Sequence, residues 1–458
     1  DFSSSVANMK IHILGIGGTF MAGIAIIAKQ LGHQVTGSDK NLYDPMKSVL
    51  EKENIIFTEG YSPQILNKNF DLVIVGNVMS RGMDIIEKLL ESNIKHISGP
   101  QWLYENVLYK KTVIAISGTH GKTTTSSLVT WILKYAKLNP SYLIGGQPIN
   151  LSSPAKLTSS KFFVIEADEY DTSFFDKRSK YIHYHPNILV INNIEFDHAD
   201  IFENIDAVVK NFHHLVRIVP KNGKIIYNYD DKNIRKLIEK GIWSKEISMT
   251  SKNSKNANWS LSRKEDNFVF SNVKAKTPSM KIIESSLLGI HNYKNISLAI
   301  LASMQAGVSF SICIDAIKKF KGVKRRMEKV ESKGTLQIYD DFAHHPTEIE
   351  SSIKSLKENF KGKKILSICE IKSHSMISGA HKKDLPVALN YSHYSIIIKP
   401  PLLKWTLRST NKNLCIVDSY AKAIEFIKKI EKNIDIILIM SNKSTVNLRS
   451  YIKNEKNK

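Results

Sequence analysis

Apolar residues fall in short runs along the chain, and each run is followed by a stretch in which they return every three or four positions. The runs predict strands at Lys10–Leu14, Gln34–Thr36, Leu72–Gly76, Thr112–Ser117, Phe162–Glu166, Ile188–Asn192, Leu336–Tyr339, Lys364–Ile368, Ser395–Ile398 and Asp435–Met440. The helical spacing predicts helices at Met21–Leu31, Thr123–Tyr135, Ala207–Val216, Tyr293–Ala306, Ser311–Phe320 and Thr347–Asn359. Strand and helix alternate, which is the pattern of α/β domains with largely parallel sheets. Glycine-bearing strand–loop–helix units begin near residues 10, 112 and 336, so three consecutive domains are expected. Their boundaries are read at residues 9–108, 109–322 and 323–458, the second at the polar break Lys321-Gly-Val-Lys-Arg-Arg326. Residues 244–280 are rich in Ser, Lys and Asn and read as short antiparallel strands and loops within the middle domain.

Length and composition narrow the classes. The chain has 458 residues, enough for several domains each with its own core. Hydrophobic residues are 42% and charged residues 24%, as in an ordinary globular protein. No apolar run approaches the roughly 18–20 residues that cross a bilayer, so membrane insertion is not expected. The start, Asp1-Phe-Ser-Ser-Ser-Val-Ala-Asn8, lacks the basic and apolar regions of a signal peptide. Met9 reads as the native start and residues 1–8 as an upstream segment. Cys313, Cys369 and Cys415 lie far apart without a C-x-x-C pair, which argues against a disulfide scaffold or structural zinc and for the cytoplasm.

Lys and Arg total 65 against 43 acids, for a net charge of +22. Such an excess raises the question of a nucleic-acid partner. Only 9 of these cations are Arg, the residue whose planar fork reads phosphates and bases, and the Lys are scattered. No nucleic-acid partner is therefore expected. The abundance of Lys, Asn and Ile matches a coding bias toward AT-rich codons. Oligomeric state carries no signal here.

The strongest chemical signal is Ile116-Ser-Gly-Thr-His-Gly-Lys-Thr-Thr-Thr125, between a strand and a helix. Gly118 and Gly121 let backbone amides approach a phosphate, and the helix start adds its positive dipole end. Lys122 is spaced to reach β/γ-phosphates, and the Thr123 hydroxyl to reach Mg2+. The first glycine of the usual phosphate loop is here Ile116, so the loop is a variant. Next, Val164-Ile-Glu-Ala-Asp-Glu-Tyr-Asp171 ends an apolar strand in Glu166, Asp168, Glu169 and Asp171. The string holds no counter-charge, so a metal or a cationic partner is expected there. Third, Asn192-Asn-Ile-Glu-Phe-Asp-His-Ala-Asp200 places His198 after another strand, as a ligand or a phosphate contact. Near the start, Ile11-His-Ile-Leu-Gly-Ile-Gly-Gly-Thr-Phe-Met21 leads to Ser38-Asp39, a nucleotide-binding βαβ layout with an acid for a ribose hydroxyl. Phe20 stands where a dinucleotide fingerprint has its third glycine, and a nucleotide-sugar pyrophosphate would use the same loop physics. Leu288-Gly-Ile-His-Asn-Tyr-Lys-Asn295 and Asp340-Asp-Phe-Ala-His-His-Pro-Thr-Glu348 read either as capping chemistry or as site residues, and Arg325-Arg326 as a charge clamp.

Together these motifs resemble the Mur ligase family from Met9 onward. The resemblance rests further on Ser98-Gly-Pro-Gln-Trp-Leu103, Phe174-Phe-Asp-Lys-Arg-Ser179 and Phe212-His-His-Leu-Val-Arg-Ile-Val219. It implies an α/β fold of three consecutive domains, Rossmann-like, P-loop ATPase and Rossmann-like. It also implies an ATP- and Mg2+-dependent ligase that joins the lactyl carboxylate of UDP-N-acetylmuramate to the amine of the cell-wall tripeptide L-alanyl-γ-D-glutamyl-meso-diaminopimelate through an acyl phosphate. Two alternatives stay open: ligation of L-alanine, and a relative that binds nucleotide or UDP-sugar without ligating.

Carried over, Gly15, Gly17, Gly18, Ser38 and Asp39 would hold the UDP-sugar. Gly118, Thr119, His120, Gly121, Lys122, Thr123 and Thr124 would hold ATP, joined by His291, Asn292, Asn295, Arg326 and Asp341. Thr123 and Glu166 would bind Mg2+, His198 would support a second Mg2+, and Lys122, Glu166 and His198 would be the catalytic set. The chain departs from the family at Glu370-Ile-Lys-Ser-His-Ser-Met376, where Lys372 stands in place of an Arg for the peptide, and at Lys443-Ser-Thr-Val-Asn447.

Overall fold

The computed structural model describes residues 8–454, apart from 43, 199, 277–278, 334–335, 402 and 407–410. Residues 1–7 of the upstream segment and Ala199 of the Asp-His-Ala-Asp string thus lie outside the described residues. The described residues form two compact units. One holds the chain up to 194 with 208–285 and 294–321; the other holds 195–207, 286–293 and 322 onward.

The first unit carries two sheets. In the first sheet, β1 (Lys10–Leu14), β2 (Gln34–Asp39), β3 (Ile56–Glu59), β4 (Leu72–Val75) and β5 (His96–Ser98) are all parallel, in the order β3-β2-β1-β4-β5. The connections are α1 (Thr19–Gln30), α2 (Met46–Lys52) and α3 (Asp84–Glu91), and α4 (Gly99–Asn106) follows β5. The order reverses between β2 and β4, so the loop after β1 opens at the switch point where ligands bind in such sheets. Helix α1 begins at Thr19, two residues before the apolar pattern suggests, because Gly18 sits extended at its N-cap. That cap makes no side-chain hydrogen bond, which leaves first-turn amides for other acceptors.

The second sheet contains β6 (Thr112–Ser117), β7 (Ser141–Leu143), β8 (Ala155–Lys156), β9 (Phe162–Glu166), β10 (Ile188–Ile191), β11 (Lys224–Asn228), β12 (Lys245–Thr250), β13 (Trp259–Lys264), β14 (Asn267–Asn272) and β15 (Met280–Ile283). The order is β15-β14-β13-β12-β11-β10-β6-β9-β7-β8. Helices α5 (Lys122–Tyr135), α6 (Ile205–Arg217), α7 (Lys232–Glu239), α8 (Ile290–Gln305) and α9 (Phe310–Lys318) accompany it. The polar stretch from 244 is only in part what its sequence suggests. Strand β12 joins β11 in parallel as a full member of the sheet, and β13–β14–β15 alone form the antiparallel extension. Ile247 and Met249 are buried, but so are the polar Ser248 and Thr250 beside them, so the strand shows no apolar run in the sequence. The two sheets meet where α1 lies against the β7–β8 edge. A Cβ on Gly23 would fall 2.9 Å from Leu143 Cγ, so only glycine lets the helix come this close.

The second unit is built on β16 (Glu328–Lys333), β17 (Leu336–Asp341), β18 (Ile365–Glu370), β19 (Tyr394–Ile398), β20 (Leu414–Val417) and β21 (Ile436–Met440), in the order β16-β17-β21-β18-β19-β20. All neighbours are parallel except β16 with β17. Ile436, Leu438 and Met440 face α10 (Pro346–Asn359) and α12 (Asp384–Leu389), while Ile437 and Ile439 face α13 (Tyr420–Ile430) and α14 (Val446–Asn454). A short α11 (His374–Ile377) follows β18. Cover on both faces is why these strands read as unbroken apolar runs. Among the described residues, no helix is long and apolar enough to cross a membrane.

Candidate active site

Gly118 and Gly121 have φ of +133° and +78°, in the region that side chains disfavour. A Cβ on Gly121 would lie 2.5 Å from Asn295 Oδ1 and 3.0 Å from Asn192 Nδ2, so the turn is hemmed by two amide side chains. Two more contacts fix its shape: Thr119 N–H donates to the Asn193 carbonyl at 3.1 Å, and His120 N–H to Asn193 Oδ1 at 2.7 Å. Asn192 Nδ2 donates to the His120 carbonyl and to Thr125 Oγ1. Thr124 is buried in the first turn of α5. Asn192 and Asn193 are legible in the sequence only as neighbours of His198; here they are the clamps of a loop seventy residues away along the chain.

Lys122 folds back over the loop. Its Nζ donates to the Gly118 carbonyl at 2.7 Å and pairs with Glu169 Oε2 at 3.1 Å. Burial would pull this ammonium down, but Glu169, Asp168 and Glu166 outweigh burial and hold it above the ordinary lysine value. It is therefore charged at any physiological pH. Thr123 Oγ1 donates to Glu166 Oε1 at 2.9 Å, and Gly145 N–H donates to Glu166 Oε2 at 2.7 Å. A Cβ on Gly145 would fall 2.8 Å from that oxygen.

The acid string is not without counter-charge, as its sequence suggested. Glu169 is buried against Lys122, Asp171 pairs with Lys177 at 3.0 Å, and Asp168 Oδ2 lies 3.5 Å from Lys180 Nζ. The cations come from other elements, so the string alone could not display them.

In the first sheet, Gly17 N–H donates to Asp39 Oδ2 at 2.8 Å, and a Cβ on Gly17 would strike the same oxygen. Gly15, at φ +81°, donates to the Ser38 carbonyl at 2.9 Å. Gly18 N–H turns back toward the Gly15 carbonyl. Ser38 lies beneath the loop: its hydroxyl is buried and 3.1 Å from His12 Nε2, while His12 Nδ1 meets Thr36 Oγ1 at 2.8 Å. Burial, with Lys68 adding repulsion, pushes His12 down to about 4. The folded state thus prefers neutral imidazole, and the unfolded chain takes up a proton first as pH falls. This contribution is complete above about pH 6.5 and is lost between there and pH 4, on the order of 3 kcal/mol. Urea midpoints at pH 7 and 4.5 are expected to differ less for His12→Asn than for wild type; equal pH dependence would contradict this.

The second unit holds the other sequence-derived residues. His198, at φ +55°, donates its N–H to Asp197 Oδ1, with Nε2 3.9 Å from Oδ2. Burial would raise the Asp197 carboxyl, but His381, His198, His344 and His345 hold it far below the usual carboxylate range. Ser375 donates to it at 2.8 Å. His291 Nδ1 lies 3.4 Å from Ser355 Oγ, and Asn292 caps the Leu288 carbonyl. Arg326 covers the Phe342 ring at 4.8 Å. Asp341 is buried, accepts from Met327 N–H, Phe342 N–H and Ser352 Oγ, and is raised by that burial. It therefore orders the arginine loop. Its neighbour Arg325 donates to the Ser441 and Lys443 carbonyls, so of the expected clamp pair Arg325 is a structural tie to the segment that follows β21. Lys372 pairs with Glu370 at 2.9 Å and donates to Tyr420 at 3.2 Å.

The central sheet with its glycine turn over Lys122 defines a P-loop domain, flanked along the chain by two Rossmann-like ones. Three domain families match the chain in order: Mur ligase family, catalytic domain, at residues 10–111; Mur ligase middle domain at 116–303; and Mur ligase, glutamate ligase domain, at 325–443. The chain belongs to the Mur ligase family. It is 41% identical over 443 residues, 95% of each chain, to the UDP-N-acetylmuramate–L-alanyl-γ-D-glutamyl-meso-2,6-diaminoheptandioate ligase of Escherichia coli K12. A UDP-N-acetylmuramate–L-alanine ligase of Wigglesworthia glossinidia brevipalpis is 33% identical over 80% of this chain and 77% of its own. Among solved structures, a murein peptide ligase of Psychrobacter arcticus 273-4 superposes with a TM-score of 0.77 at 36% identity, covering 98% of both chains.

Proposed function

We propose that the protein joins the lactyl carboxylate of UDP-N-acetylmuramate to the amine of L-alanyl-γ-D-glutamyl-meso-diaminopimelate at the expense of ATP, in the recycling of cell-wall peptide in the cytoplasm. The observation that carries this reading is the grouping of Lys122, Thr123 and Glu166 at one glycine turn, in the same compact unit as the loop Gly15–Gly18. The extent of similarity favours the peptide substrate over L-alanine: the peptide ligase aligns over 95% of this chain at 41% identity, the L-alanine ligase of Wigglesworthia over 80% at 33%.

In this reading Gly118–Thr124 and Asn295 cradle the triphosphate, with Lys122 on its terminal phosphates. Arg326, His291 and Asn292 are read as further ATP contacts, and Asp341 holds Arg326's loop. The Thr123 hydroxyl and Glu166 carboxylate, 2.9 Å apart, are the hard oxygen donors that suit Mg2+. They would hold the ion, which supplies neutralisation of phosphate charge; His198, beside Asp197, is read as the ligand of a second Mg2+. Gly15, Gly17 and Gly18, shaped by Ser38 and Asp39, take the UDP-sugar. The chain's own work is positioning and charge balance: the carboxylate oxygen attacks the terminal phosphorus, ADP leaves, and the peptide amine then displaces phosphate from the acyl carbon.

Phosphate release from purified protein is expected only with ATP, UDP-N-acetylmuramate and the tripeptide together. Turnover with L-alanine and none with tripeptide would move the assignment to the other branch. Lys372 is proposed as a point-charge contact to a peptide carboxylate, since Glu370 and Tyr420 hold it in place. Lys372→Ala is expected to raise the tripeptide KM about tenfold and leave the ATP KM unchanged. An unaltered tripeptide KM would remove Lys372 from the peptide site.

A further inference from the structure

Lys180 opens the 3-10 turn Lys180–Tyr184, and its side chain is only 10% exposed. An ammonium has three donors, and burying them unmatched is costly. Among the described residues, its one polar side-chain contact is Asp168 Oδ2, at a long 3.5 Å. Its other neighbour is the Phe20 ring, 5.4 Å from Nζ to centroid. Tyr184, on the same turn, has its ring 6.4 Å from Phe20 and a buried hydroxyl without a hydrogen-bond partner.

The neighbours identify the place. Phe20 is the second residue of α1, directly past the loop Gly15–Gly18. Asp168 lies two residues beyond Glu166, which holds Thr123, and its charge acts on Lys122. Lys180 therefore stands between the end of the sugar-side loop and the acidic strand end of the phosphate loop, within one compact unit. A group that fits must be anionic, must reach from one loop toward the other, and must offer oxygen to a buried cation.

We propose that Lys180 anchors the carboxylate of the sugar-nucleotide substrate, a role that rests on the function proposed above. Its ammonium holds one carboxylate oxygen while the other forms the new bond to the terminal phosphorus. The bond from that phosphorus to the bridging oxygen breaks, and its electron pair leaves with ADP. No proton moves in this step. Asp168 keeps the ammonium aimed.

Calorimetric binding of two sugar nucleotides tests this: UDP-N-acetylmuramate, and UDP-N-acetylglucosamine, which lacks the lactyl carboxylate. Wild type is expected to prefer the former by at least about tenfold, the scale of one charge-assisted contact. Lys180→Met is expected to bind both alike, with UDP-N-acetylglucosamine affinity unchanged, which also reports an intact fold. In turnover, its KM for UDP-N-acetylmuramate rises while its KM for ATP does not. A preference retained in Lys180→Met overturns the anchor and leaves the proposed function standing. Wild type that binds neither sugar nucleotide overturns both. Should Lys180→Met lose both ligands, Lys180→Arg decides: a retained preference supports the anchoring charge, and an unselective arginine variant overturns it.

Discussion

Replacing Lys122 with alanine is expected to lower ATP-dependent turnover by at least about a thousandfold, while the affinity for UDP-N-acetylmuramate stays within about twofold of wild type. Phosphoryl transfer leaves a protein little to do beyond placing groups and neutralising charge, and Lys122 is the cation at the turn. Its charge is secure, since Glu169, Asp168 and Glu166 together overcome the effect of burial. The loop Gly15–Gly18 hangs on Asp39 and the Ser38 carbonyl, whereas Lys122 is tied to Gly118 and Glu169. Loss of Lys122 also removes the cation paired with the buried Glu169, so some loss of stability accompanies the loss of rate. Initial rates and calorimetry on one preparation separate these effects. Turnover near wild type would remove the phosphate loop from the mechanism.

Glu166→Gln is expected to cost about a hundredfold to a thousandfold in kcat and to raise the Mg2+ concentration needed for half-maximal rate. Both carboxylate oxygens are engaged, one by the Thr123 hydroxyl and the other by Gly145 N–H. A carboxamide has one acceptor, so one of these donors loses its partner and the hydroxyl drifts from its set position. The negative charge that suits a divalent cation is lost as well. Mg2+ titrations of the initial rate check both parts. An unchanged Mg2+ requirement would argue that Glu166 orients Thr123 and nothing more.

Much of this site is written locally. Residues 112–125 contain strand, turn, lysine and helix start within one short stretch, and Lys10–Leu14, Thr112–Ser117 and Phe162–Glu166 have the bounds their apolar runs suggest. Local chemistry fails where partners arrive from elsewhere. Asn192 and Asn193 clamp a turn seventy residues upstream, and Gly145 meets Glu166 because β7 lies beside β9. The string Glu166–Asp171 reads as unbalanced charge because Lys122 and Lys180 stand on other elements. The sequence also does not show that β2 turns the Ser38 hydroxyl toward His12 while its carbonyl shapes the loop. Strand β12 is hidden because Lys245, Glu246, Ser248 and Thr250 break up its apolar residues, although all four residues from Ile247 to Thr250 are buried.

The central claim is that the terminal phosphoryl group held at the Gly118–Lys122 turn passes to the sugar-nucleotide carboxylate before the amide forms. UDP-N-acetylmuramate labelled with 18O in both carboxylate oxygens tests it directly, with the released phosphate read by mass spectrometry. Each phosphate formed in step with product is expected to carry one heavy oxygen taken from the carboxylate. Product formed with wholly unlabelled phosphate would contradict the claim.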